Sequence, residues 1–136
     1  MKSYIFLFST IILGACSTPI STDPSTMKSI GGDKDNHGCL VGAGQSWSKV
    51  RQNCIQIFKE GIRLNPIEEP SKGEAVFSAF IVFSKDNQKV ELYVPNEEDS
   101  FILNSVGEGI YKDSGYEFNS STNSLLKNGV KIYQAN

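Results

Sequence analysis

The stretch EAVFSAFIVFSKDNQKVELYVP, Glu74 to Pro95, decides the fold. Glu74 to Ser84 is the longest β-prone run, apolar on both parities through Val76, Phe77, Ala79, Phe80, Ile81, Val82 and Phe83. A half-buried strand alternates with a period of two, so apolar residues on both parities indicate a strand covered on both faces. The run is expected at the centre of a sandwich or closed barrel. Lys85-Asp86-Asn87-Gln88 carries turn residues, and Lys89 to Val94 alternates, with Val90, Leu92 and Val94 on one face. Pro95, which lacks the donor a ladder needs, ends that strand.

Working toward the carboxyl end, Phe101 to Leu103 is a short strand and Gly107-Glu108-Gly109 a turn. Tyr111 and Tyr116 flank another turn at Asp113-Ser114-Gly115. Leu125 and Leu126 lead to Asn128-Gly129, a strong two-residue hairpin signal, after which Val130 and Ile132 are expected to point inward. Working toward the amino end, Pro66 and Pro70 bracket an acidic loop, preceded by Ile62-Arg63-Leu64 and the β-prone Ile55-Gln56-Ile57-Phe58. Between Cys39 and Cys54, Gly42 and Gly44 mark a turn. Ser46 is placed to cap a short helical turn running toward Asn53, with Trp47 and Val50 on one face. Trp47 is then expected over the disulfide. The fold class is mainly β: a small antiparallel barrel or sandwich of about seven strands, with a short disulfide-braced helical segment at its N-terminal side.

The first residues are set aside from the fold. Lys2 gives a positive start, and Tyr4 to Leu13 is an apolar run interrupted by Ser9 and Thr10. About ten residues are too few for a membrane-spanning helix, which needs roughly 20. They suit the apolar part of a signal peptide, with small residues before the cut. Leu13-Gly14-Ala15-Cys16 resembles the bacterial lipobox, which implies a diacylglyceryl thioether on Cys16 and cleavage just before it. The plainer alternative is an ordinary signal peptide cut near Ala15, with Cys16 a bystander. Residues 1–15 are thus a leader, 16–29 a Ser/Thr/Pro-rich lipidated tether, and 30–136 a single β-rich domain containing the disulfide segment 39–54. Two or more acyl chains on one cysteine make attachment to membrane lipid stable. The expected location is the bacterial cell envelope, and Ser17 rather than Asp after the lipidated cysteine favours the outer membrane.

Removing the first 15 of 136 residues leaves 121, and losing Lys2 moves the formal charge from −2 to −3. A mildly acidic chain without a basic cluster argues against nucleic acid as a partner. With Cys16 lipidated, Cys39 and Cys54 remain to pair in an oxidising compartment. Closing a loop of about 15 residues stabilises by ~3 kcal/mol in the chain-entropy model. A metal site would want more ligands than His37, the one histidine, can add.

Other candidate chemistry fails on inspection. Asp33-Lys34-Asp35-Asn36-His37-Gly38 opens like a calcium loop, but the twelfth position is Gly44 where a bidentate Glu is needed. His37 has no free thiol to activate, and no G-x-S-x-G surrounds a serine. Glu68-Glu69 and Glu97-Glu98-Asp99 are adjacent along the chain, not opposed across a cleft as glycosidase carboxylates are. No catalytic residue, cofactor or small-molecule substrate follows from these residues, and the chain is expected not to be an enzyme.

One segment carries more. Ser105-Val106-Gly107-Glu108-Gly109-Ile110-Tyr111, then Gly115-Tyr116-Glu117-Phe118, together with the preceding strands, resembles the C-terminal half of the bacterial membrane-bound inhibitors of C-type lysozyme. The resemblance covers about sixty residues, Phe77 to Tyr133. In that family a strand like Val90 to Val94 leads through another strand into a loop that begins with Ser and ends with Tyr. An aromatic strand and a Lys-Gly turn follow, where this chain has Ser121-Thr122. The resemblance implies a small antiparallel barrel whose loop enters the lysozyme cleft, with Ser105, Glu108 and Tyr111 at the partner. C-type lysozymes work with one protonated acid and one ionised carboxylate. A serine hydroxyl both donates and accepts, so Ser105 is suited to satisfy both, and Tyr111 would fix the loop by packing. Two functions are therefore expected: an envelope lipoprotein that inhibits a lysozyme-type protein, or a surface or structural lipoprotein that binds envelope material or another protein.

Overall fold

The computed structural model describes residues 32–68 and 71–136. The leader, Cys16, the tether, Glu69 and Pro70 lie outside the described residues. Among the described residues there are ten strands: β1 (Ser46–Ser48), β2 (Asn53–Ile55), β3 (Ile62–Pro66), β4 (Ala79–Phe83), β5 (Lys89–Tyr93), β6 (Phe101–Gly107), β7 (Ile110–Asp113), β8 (Tyr116–Asn119), β9 (Ser124–Lys127) and β10 (Val130–Gln134). One helical turn, α1 (Ile57–Glu60), follows β2. Strands β3 to β10 pair antiparallel, each with the next, and β10 returns to β3 to close an eight-stranded barrel. Of the two architectures expected, the closed barrel is the one formed.

Tight turns make this meander possible. Glu108-Gly109, Ser114-Gly115 and Asn128-Gly129 each place two successive residues at positive φ. That geometry matches the right-handed twist of the strands it joins. The interior is filled from alternate positions: Leu64, Ala79, Ile81, Val90, Leu92, Leu103, Tyr111, Tyr116, Phe118 and Leu125 form one buried cluster. Full burial of a Leu or Ile side chain contributes about 1.5–3 kcal/mol relative to exposure, so this cluster is the main source of stability.

The long apolar run is shorter as a strand than its composition indicates. Only Ala79–Phe83 is strand, while Val76 and Phe77 are exposed in the connection from β3. Within β4 the two-sided apolarity has a concrete cause. Ala79 and Ile81 face the barrel interior, whereas Val82 is fully buried without belonging to the interior cluster. Something covers the outside of the barrel there.

The cover is the disulfide segment. Cys39 and Cys54 are bonded, with an S–S distance of 2.04 Å. The helical turn expected from Ser46 toward Asn53 is instead a hairpin, with Trp47 opposite Cys54 and Ser48 opposite Asn53. Pairing wins over helix because it turns Ser48 and Ile55, both buried, to the side facing the barrel. Gln52, at φ 53, closes the turn, its N–H donating to the Ser48 carbonyl at 2.8 Å. The helical geometry of this region lies elsewhere, in a single 3-10 turn at Val41–Ala43 and in α1, where a β-run was expected over Ile55–Phe58. Trp47, paired with Cys54 of the disulfide, also stacks on His37, at 4.5 Å and 7° between planes. Val130, expected inward, is 65% exposed, while Ile132 is partly buried against the core.

Candidate functional site

The antiparallel meander sends alternate turns to opposite ends of the barrel. One end carries the β4–β5, β6–β7 and β8–β9 turns, and hydrogen bonds knit these together. The Ser105 N–H donates to the Gln88 carbonyl at 2.8 Å, and the Ser120 N–H to the Gly109 carbonyl at 2.9 Å. The Ser120 hydroxyl donates to that same carbonyl at 2.9 Å. The Tyr111 hydroxyl donates to the Asn87 carbonyl at 2.9 Å. The β6–β7 turn is thus fastened to its neighbours on both sides.

Ser105 sits near the end of β6, paired with Tyr111, just before an irregularity in the β6–β7 ladder. It is half-buried at the barrel mouth. Its hydroxyl accepts one long contact from the Gly107 N–H, at 3.4 Å, so its own O–H remains uncommitted among the described residues. Glu108 is exposed at the tip, at φ 53, between Gly107 and Gly109 at φ 101 and 73. Gly109 is required for space as well as for φ: a Cβ there would lie 2.5 Å from the Ser120 hydroxyl oxygen.

Tyr111 is placed differently from the other two. It is 5% exposed, and its ring meets Phe83 edge-on at 5.6 Å and leans on Phe118 at 6.2 Å. The residue holds the loop from beneath, by packing and by its bond to Asn87, and offers no face to a partner. Ser105 and Glu108 are brought together at one end, with Tyr111 behind them.

Lys112 and Lys127 are directed elsewhere. Lys112 is paired with Glu117 at 2.8 Å on the outer face of the sheet. Lys127 lies at the far end of β9, donating to the Tyr116 hydroxyl at 3.0 Å and sitting 4.8 Å from that ring's centre. The Tyr116 hydroxyl raises the pKa of Lys127 above its ordinary value. At Ser121-Thr122 the backbone amides donate to the Asn119 side-chain oxygen at 2.9 and 3.2 Å, closing a polar turn.

Sequence reasoning missed the group that docks the disulfide hairpin. Glu91, on the outer face of β5, is 0% exposed. Its carboxylate accepts from Ser48 Oγ at 2.7 Å, Ser100 Oγ at 2.6 Å and the Val50 N–H at 3.3 Å. Arg51 Nε donates to the Phe83 carbonyl beside it, and Lys49 pairs with Asp99 at 3.3 Å. Tyr93 stands two residues along the same face, and burial, with the nearby Glu91 charge, pushes its phenol far above its ordinary value. An outward Glu in an alternating strand reads as solvated, and the one local hint was the pair of Ser residues in S-W-S. Near the hairpin, Asp35 accepts the His37 and Cys39 N–H groups at 2.8 and 2.9 Å. Those bonds form a closed polar turn where the calcium-loop pattern begins.

Compared with protein-family models, with curated proteins and with solved structures, the chain matches none.

Proposed function

We propose that this chain is a non-enzymatic protein of the bacterial cell envelope, held to membrane lipid through Cys16, that inhibits C-type lysozyme by inserting its β6–β7 turn into the enzyme's cleft. The observation that carries the proposal is the combination at that turn. A serine with an uncommitted O–H stands at the barrel mouth, next to a tip at three successive positive φ values that is fastened to both flanking turns.

Preorganisation is what an inserted loop needs, because ordering a mobile one on binding would consume affinity. The chemistry then falls to the Ser105 hydroxyl, which donates to an ionised carboxylate while accepting from a protonated one. Glu108 reaches past it toward the polar wall of the cleft. Lys112 and Lys127 are engaged elsewhere, so neither supplies the cation that the resembled family carries beyond the aromatic strand. Ser105 and the loop backbone therefore carry the contact.

The test is lysozyme activity in the presence of residues 17–136. Stoichiometric loss of activity at micromolar protein is expected. Full activity at that concentration would remove the inhibitor reading and leave a surface lipoprotein that binds envelope material or another protein.

A further inference from the structure

The outer wall of the barrel carries a groove of about 460 Å³, away from the β6–β7 turn. Phe58 of α1, Val76 and Phe77 of the β3–β4 connection, Phe80 of β4 and Pro95 after β5 line it. Phe58 meets Phe80 edge-on, their centres 5.2 Å apart. Phe58 is 77% exposed and Phe77 59%, so this aromatic surface is open to water rather than packed into the fold. A contiguous apolar patch of this kind on a folded protein marks a place that something else covers. Its volume falls in the range of small-ligand sites, which pair apolar walls with a few polar groups.

Ser78 and Tyr93 add polar atoms to the lining, and its charge is a single one. Arg63 is the one charged residue among those lining the groove. Its Nε donates to Ser78 Oγ at 2.8 Å, which orients the guanidinium and leaves the terminal nitrogens as donors. Among the described residues no carboxylate pairs with it. A planar guanidinium fork is matched to carboxylate or phosphate oxygens.

We propose that this groove binds a single-chain anionic amphiphile as a monomer, its alkyl tail along Phe58, Phe77 and Phe80 and its anionic head on Arg63. An apolar wall with one cation at its border complements a ligand with one tail and one negative charge. A neutral apolar molecule would leave Arg63 unused.

Calorimetric titration of residues 17–136 tests this with dodecanoate and with neutral dodecyl maltoside, both below their micelle concentrations. This portion retains the disulfide, the hairpin and the whole described core. Saturable one-to-one binding of dodecanoate is expected. A Phe58→Ser/Phe77→Ser double variant should weaken both ligands at least about tenfold, the positions being exposed enough to leave melting unchanged. Arg63→Gln should weaken dodecanoate about tenfold and the maltoside less than about twofold. The proposal is overturned by non-saturating heats or by an affinity indifferent to the double variant. An equal loss of both ligands in Arg63→Gln overturns it too. It also falls if the patch associates only with phosphatidylglycerol vesicles, or if it mediates a dimer that the double variant abolishes. Each readout is independent of lysozyme.

Discussion

The Ser48 hydroxyl donates to the Glu91 carboxylate across 2.7 Å, joining a loop stapled by a disulfide to the outer face of a barrel strand 43 residues further along the chain. Both residues are fully buried. Removing one partner of such a contact costs more than the contact itself contributes, because the other is left desolvated. Ser48→Ala is expected to lower stability by about 1–2 kcal/mol, and Glu91→Ala by about 3 kcal/mol, since three donors then lose their acceptor. Urea midpoints at constant m-value measure both. A Glu91→Ala cost no larger than a surface substitution would show that water reaches this contact freely.

Breaking the Cys39–Cys54 bond should act on the hairpin first. The closed loop of 15 residues corresponds to roughly 3 kcal/mol of chain entropy. The barrel cluster contains neither cysteine. Amide exchange in a Cys39→Ala/Cys54→Ala variant should accelerate over residues 46–55 well before β5 and β8. Uniform acceleration across all ten strands would mean that hairpin and barrel unfold as one unit.

Ser105→Ala is expected to weaken lysozyme inhibition by about 1–3 kcal/mol, the usual cost of stranding a buried polar partner. It should leave the melting temperature unchanged, because the hydroxyl makes one contact of 3.4 Å within the protein. An unaltered inhibition constant would show that another part of the barrel makes the contact.

Tyr111→Phe removes the bond to the Asn87 carbonyl while keeping the ring in the core. About 1 kcal/mol of stability should go. Inhibition should weaken with it, through looser coupling of the β4–β5 and β6–β7 turns. Loss of stability with full inhibition would separate the tyrosine from the loop.

Acid should weaken the β4–β5 turn. The Ser84 hydroxyl at 2.6 Å, and then the Gln88 N–H at 3.0 Å, hold the Asp86 carboxyl below its ordinary range. Its folded value is lower than its unfolded one, so this stabilisation is fully present above about pH 4. It is lost as the pH falls through the folded value. Denaturation midpoints followed from about pH 6 downward should fall less steeply for Asp86→Asn than for the parent. Parallel curves would mean that the turn bonds do not depend on the charge.

The downstream strands were legible because turn chemistry and alternation agreed there. Asn128-Gly129 and Ser114-Gly115 sit at positive φ as their residue types demand, and Val90 and Leu92 face inward as their period indicates. Barrel or sandwich stayed open because closure depends on β10 finding β3, a long-range pairing with no local mark. The Cys39–Cys54 segment was misread for a related reason. Its S-W-S alternation and its helix-like spacing of Trp47 and Val50 are both short, and the decisive partner, Glu91, lies on another strand. Val76 and Phe77 were drawn into a strand by composition, although apolar residues on a groove look the same in sequence as apolar residues in a core. At the loop, the spacing from Ser105 to Tyr111 was readable, while the burial of Tyr111 followed from barrel closure.

The pairing of β10 with β3 rests on two register positions, Tyr133 with Pro66 and Gln134 with Asn65, supplemented by the Ile67 N–H donating to the Ile132 carbonyl at 2.9 Å. Once that short seam is made, the eight strands have neither a first nor a last member, and their peptide groups have no open flank on which a stray strand could stack. The same few rungs are the latch of the cylinder. Fraying of β10 would convert a closed surface into one with two sticky margins, so removing that strand should promote self-association.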